Sequence, residues 1–104
     1  MIIVTTETIQ GRQITEVIGL VRGNTVRAKH FGKDILAGLK SIVGGEIKQY
    51  TEAMSEARDQ SLERMAEQAK ELGADAVVGL RFTTSQVMPG AAELLVYGTA
   101  VKLA

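Results

Sequence analysis

Residues Gly44 to Gly73, GGEIKQYTEAMSEARDQSLERMAEQAKELG, carry the longest helical pattern in the chain. Projected at about 100° per residue, Met54, Ala57, Arg58, Leu62, Met65, Ala69 and Leu72 share one face. Glu52, Glu56, Asp59, Glu63, Glu67 and Glu71 fall around the other. Thr51 is the expected N-cap, Glu52 sits favourably against the helix dipole, and Gly73 is the expected C′ residue. Glu46 to Tyr50 reads as a connector or an irregular first turn. Arg58 does not belong chemically near the middle of an apolar stripe. A guanidinium stays charged, and burying it unpaired costs on the order of several kcal/mol. Three readings stay open. It snorkels from the stripe's edge, it pairs with an acid such as Glu46 within or between subunits, or it clamps a carboxylate or phosphate.

Working outward, the segment Phe31 to Val43 has helical spacing at Ile35, Leu36, Leu39, Ile42 and Val43. Gly32 and Gly38 weaken it, so a short helix held by packing is expected, ended by Gly44-Gly45. Before it, Ile2-Ile3-Val4-Thr5 is a β-branched opening strand that Gln10-Gly11 breaks. Ile14 to about Ala28 reads as one long strand, with a bulge or bend where Gly19 and Gly23 interrupt it. The alternative is a hairpin turning at Gly23-Asn24. After the long helix, Ala76 to Thr84 is a strand, Ser85 to Ala91 a surface loop, and Glu93 to Leu103 the last strand.

The expected fold is therefore α+β in a single domain, residues 1–104, with element order ββααββ. One short and one long helix would cover one face of an antiparallel four-stranded sheet. The last strand complicates this. Leu94, Val96 and Ala100 point one way, and Leu95, Tyr97, Val101 and Leu103 the other, so both faces are apolar. Helices on one side leave the second face bare, and another copy of the chain is the expected cover.

Composition narrows the chemistry. The chain of 104 residues is neutral overall, which argues against a general nucleic-acid or anionic-membrane binder. Charge is nevertheless uneven. Arg12, Arg22, Arg27, Lys29, Lys33, Lys40 and Lys48 make the first half basic against an acidic long helix, so the two faces are either solvated or meet across a subunit contact. Cysteine is absent, which excludes disulfides and thiolate metal sites. No signal peptide and no membrane-length apolar run is found, and a soluble cytoplasmic protein is expected.

The candidate site residues cluster before the long helix. Gly44-Gly45 would expose backbone N–H groups to an anion, or act simply as a hinge. Glu46 and Tyr50 would bind a cation or transfer protons. They do not form a P-loop or a dinucleotide turn. His30, the sole histidine, would as a general base need an orienting partner that no spacing identifies, and as a metal ligand would have to recruit Asp34, Glu46 or a neighbouring subunit; otherwise it is solvent-exposed at a helix start. No nucleophile elbow surrounds any serine, and without tryptophan a stacking surface is poorly supplied.

Together the segments Glu7–Ile14 (ETIQGRQI), Val21–Ile35 (VRGNTVRAKHFGKDI), Gly44–Arg58, Arg64-Met65, Gly73–Phe82 (GADAVVGLRF) and Tyr97–Val101 (YGTAV) carry a resemblance over essentially the whole chain. The sequence resembles the bacterial and archaeal YbjQ-like family, which is functionally uncharacterised and labelled heavy-metal-binding. That resemblance implies an α+β, dodecin-related fold assembling as a ring, a homopentamer. It implies no flavin site, because the tryptophan such a site stacks on is missing. It also brings no paired cysteines to a soft metal, so a hard cation on Glu46 and its symmetry mates is the metal site left open. The leading expectation is a non-catalytic homo-oligomeric binding or scaffold protein, with a small-ligand or partner site between subunits at Gly44, Gly45, Glu46, Tyr50 and Arg58. The rivals are a divalent or heavy-metal binder using Glu46 or His30, and an enzyme of unknown reaction using Glu46 or His30 as base with Tyr50 and Arg58.

Overall fold

A computed structural model describes residues 1–27 and 48–104, with side chains from residue 51 onward in the second stretch. Five elements succeed one another in these residues: β1 (Ile2–Ile3), β2 (Ile14–Arg27), α1 (Lys48–Glu71), β3 (Ala76–Met88) and β4 (Ala91–Leu103). The expected short helix and the Gly44-Gly45-Glu46 turn lie outside the described residues. Thr51 is inside α1 rather than at its N-cap.

The C-terminus of α1 agrees closely with its sequence signal. Gly73 takes a φ of 77°, its N–H donates to Lys70 O at 2.9 Å, and the Ala74 N–H donates to Ala69 O at 3.0 Å. This is the paired hydrogen bonding of a Schellman ending. An added Cβ at Gly73 would meet nothing closer than Lys102 Nζ at 3.8 Å, so only the positive φ resists a side chain. Gly73→Ala is expected to lower stability by about 1 kcal/mol, measured as a drop in the urea midpoint at constant slope.

The four strands form one sheet in the order β1-β3-β4-β2. β2–β4 and β3–β4 are antiparallel, but β1 runs parallel to β3, pairing Ile2 with Ala76 and Ile3 with Val77. The sheet is mixed, not antiparallel as expected. The cause is the anchoring of the segment Val4 to Thr6 alongside β3. The Val4 N–H donates to Val77 O at 2.9 Å, the Leu80 N–H to Val4 O at 3.1 Å, and the Gly79 N–H to Thr6 O at 2.8 Å. Gly79, at a φ of 64°, sits in a bulge where β3 spends two residues opposite Gly98. That bulge turns its N–H toward the opening segment.

β2 is a single strand, so the hairpin alternative at Gly23-Asn24 fails. A register shift falls between Val17 and Gly19, as the expected bulge required. Gly23 has a different task. A Cβ there would lie 2.1 Å from Ser61 O and 2.5 Å from Met65 N, so the backbone of α1 rests directly on this strand. The expected surface loop at Ser85–Ala91 is instead the end of β3 and a tight hairpin. Met88 pairs with Ala91 across Pro89 and Gly90, and Gly90 takes a φ of 80°. Proline's fixed φ with a positive-φ glycine after it is a turn signal in its own right.

α1 covers one face of the sheet. Met65, Ala69, Val21, Val77, Leu80, Val96 and Ala100 form the main core, with Ile3, Ile18, Leu62 and Ala74 at its margin. Leu94, Val96 and Ala100 are buried as the last strand's alternation required. The opposite face is not left entirely to a partner. Ala76, Val78 and Val101 form a second cluster, closed by Val4, Ile9, Ile14 and Leu103 of the same chain. Farther along, that face is open: Leu20 is 66%, Val26 53% and Tyr97 38% exposed.

Candidate functional site

The buried row on α1 is Ala53, Ala57, Ser61, Met65 and Ala69, spaced at every fourth residue. Four residues advance about 400°, so such a row drifts by about 40° at each step across the helix surface. A flat wheel merges these levels. At the height of Ala57 the row has not yet drifted over Arg58, and Arg58 is exposed. The apolar-face placement of Arg58 is therefore corrected. No hydrogen bond or ion pair to another described residue engages its guanidinium. Ser61 stands in the row because its hydroxyl has buried partners. Thr25 Oγ1 lies 3.0 Å from Ser61 Oγ and donates to Ala57 O at 3.3 Å, while Ser61 Oγ donates to Leu94 O at 3.2 Å. The pair links β2, α1 and β4 without leaving either hydroxyl unsatisfied.

Beside this row, α1 turns a second set of side chains toward the free edge of β2. Gln60 Oε1 accepts from Arg27 Nη2 at 3.0 Å. Arg64 Nη1 donates to Asn24 O at 2.6 Å. Gln68 Oε1 accepts the Arg22 main-chain N–H at 2.7 Å. Around them opens a groove of about 620 Å³ lined by Arg22, Gln60, Glu63, Arg64, Glu67, Gln68 and Glu71. It combines two guanidinium groups with three carboxylates, chemistry suited to a polar or charged partner rather than to an apolar ligand. Sequence reasoning does not single out this groove. Its signal is present as the polar spacing Gln60, Arg64, Gln68, but nothing local says that such a row meets a strand edge.

Of the sequence-derived site residues, Gly44, Gly45, Glu46 and His30 lie outside the described residues, and Tyr50 is described in backbone only, within the first turn of α1. Arg58, whose side chain is described, is not among the residues lining the groove. Among the described residues no three of His, Cys, Asp and Glu converge as a metal would require. With no cysteine anywhere and one histidine, the described donors do not fit a soft heavy metal. Nor is any described helix long and apolar enough to cross a membrane.

The sequence model of the family described as "Putative heavy-metal-binding" matches residues 1–104. A UPF0145 protein of Archaeoglobus fulgidus is 67% identical over 99% of this chain and 95% of its own length. Another from Psychromonas ingrahamii is 62% identical over 99% and 98%, and one from Methanosarcina acetivorans 57% over 99% and 97%. A crystal structure of a protein of unknown function from Pediococcus pentosaceus, assigned to the DUF74 family, superposes with a TM-score of 0.68 over 100% of this chain and 98% of that one. At 18% identity that likeness is one of fold. Matched from first residue to last, the chain belongs to the YbjQ-like family, and its described residues hold no donor cluster for the heavy metal in that family's description.

Proposed function

We propose that the protein is a non-catalytic, cytoplasmic homo-oligomeric binding or scaffold protein, a ring-forming homopentamer with a small-ligand or partner site between subunits. The observation that carries this reading is the uncovered part of the sheet, where Leu20, Val26 and Tyr97 are exposed beside Arg22 and Arg81. Apolar residues grouped with guanidinium groups on one face suit a protein contact better than bulk water. The outer face of α1 offers the complement in Glu52, Glu56, Asp59, Glu63, Glu67 and Glu71, all exposed. A sheet face meeting a different surface of the next copy makes a heterologous contact, the kind that closes into rings. Shape supports the same reading. The radius of gyration is 17.0 Å and the extents are 54 × 26 × 17 Å, whereas a compact domain of this length has a radius near 13 Å.

Within such a ring, Arg58 is exposed near the start of α1, and Gly44, Gly45, Glu46 and Tyr50 precede it or share its first turns. Those residues are the proposed ligand site. Native mass spectrometry of the purified protein is the test. The expected result is a single closed oligomer, converted to smaller species by Tyr97→Glu, which places a carboxylate in the contact. A monomeric wild type would overturn the reading.

A further inference from the structure

We propose that Gln60, Arg64 and Gln68 are a guard along the free edge of β2, holding that strand closed to pairing with the same strand of a second copy. The argument begins with β2 itself. Among the described residues it is the outermost strand on its side of the sheet, runs from Ile14 to Arg27 without proline, and exposes Val17, Leu20 and Val26 at 67%, 66% and 53%. A long edge strand of this kind presents a row of unpaired N–H and C=O groups and is a template for another strand. Arg22 and Asn24 stand opposite Tyr97 and Leu95 in the β2–β4 register. Yet the Arg22 N–H and the Asn24 C=O point away from β4, to Gln68 and Arg64.

These two side chains occupy the positions that an incoming strand would use. Gln68 supplies an amide oxygen for a strand N–H, at 2.7 Å, and Arg64 supplies an N–H for a strand carbonyl, at 2.6 Å. Gln60 continues the row by holding the Arg27 side chain at the strand's end. The three are spaced at i, i+4 and i+8 on α1, one residue ahead of the buried Ser61, Met65 and Ala69. The core row thus fixes the helix on the sheet and sets the guard row against the edge. Glu63 and Glu67 line the same groove and add negative charge outside the edge, which disfavours an approaching acidic face. Assembly is thereby confined to surfaces other than this edge.

The test compares wild type, Gln68→Ala, Gln68→Glu and the double variant Arg64→Ala/Gln68→Ala. Hydrogen exchange at the Arg22 amide and sedimentation over a concentration series are the readouts. In dilute wild type the Arg22 amide is protected although it faces outward. Gln68→Ala is expected to speed its exchange about tenfold, while Gln68→Glu, which retains an acceptor oxygen, keeps it slow. The double variant is expected to form larger species, with weight-average mass rising about twofold or more with concentration. Adding Val17→Lys, a charge on an exposed position of the same strand outside the proposed ring contact, suppresses that rise. Equal Arg22 exchange in wild type and Gln68→Ala would overturn the proposal. So would a double variant with the wild-type mass, or association indifferent to Val17→Lys. If the double variant does not melt cooperatively, Gln68→Ala decides by the same two readouts.

Discussion

Gly23→Ala lowers stability by about 3 kcal/mol, at the top of the usual range for overpacking. The expectation rests on what the new methyl group meets. The nearest atoms are Ser61 O at 2.1 Å and Met65 N at 2.5 Å, both backbone, with Arg64 Cβ at 3.0 Å. A side chain in the way can change rotamer, but a helix backbone moves only as a whole. Lifting α1 off β2 would loosen the Thr25–Ser61 hydroxyl contact and separate Val21 from Met65 and Ala69 in the core. For a domain of this size the loss corresponds to a melting temperature lower by roughly 10–20 °C. Shortening a neighbouring side chain does not relieve the clash, so no substitution at Met65 rescues the variant. Gly98 makes the contrast. A Cβ there meets the Val77 Cγ1 side-chain atom at 2.7 Å, and trimming Val77 gives partial relief. Thermal unfolding of the single and double variants separates the two cases, and a Gly23→Ala protein as stable as wild type would remove the close-packing argument.

The same glycine shows where sequence reading reaches its limit. A glycine interrupting a strand signals either a bulge or a close approach of another backbone. At Gly19 the bulge reading holds, since the register shifts there. At Gly23 the cause is α1, more than thirty positions away, which no local pattern encodes. The end of α1 is legible because a Schellman ending is written in neighbouring residues, Leu72-Gly73-Ala74. β1 is legible as a strand but not in direction, because two residues of pairing carry no register information. The hairpin at Pro89-Gly90 has a local signal but is masked by the strand leading to it. Ser85 to Met88 are all exposed, so neither face alternates and that part of the arm reads as loop. The candidate site is the least legible part. A flat wheel misplaces Arg58 because it ignores the drift of an i+4 row, and the β2 edge groove exists only where helix and strand meet.

Met65→Ala carries the other large expected effect, a loss of about 3 kcal/mol within the 2–5 kcal/mol usual for buried Met, Leu or Ile truncations. Met65 is fully buried and is the one large side chain in the otherwise small row Ala53, Ala57, Ser61, Ala69. Those small residues let the helix lie close to β2, and Met65 fills the space that opens beyond Gly23 toward Val21, Val77, Leu80 and Val96. Collapse into the cavity would require α1 to move closer to the sheet. The Gly23 contact forbids this, because the two backbones already touch. The cavity therefore stays open, and its cost falls toward the upper part of the range. Met65→Leu, which nearly conserves volume, is expected to lose less than about 1.5 kcal/mol. Urea unfolding of both variants provides the measurement. Equal losses for Ala and Leu would show that shape at this site matters more than filled volume, and would contradict a core held rigid by the helix–strand contact.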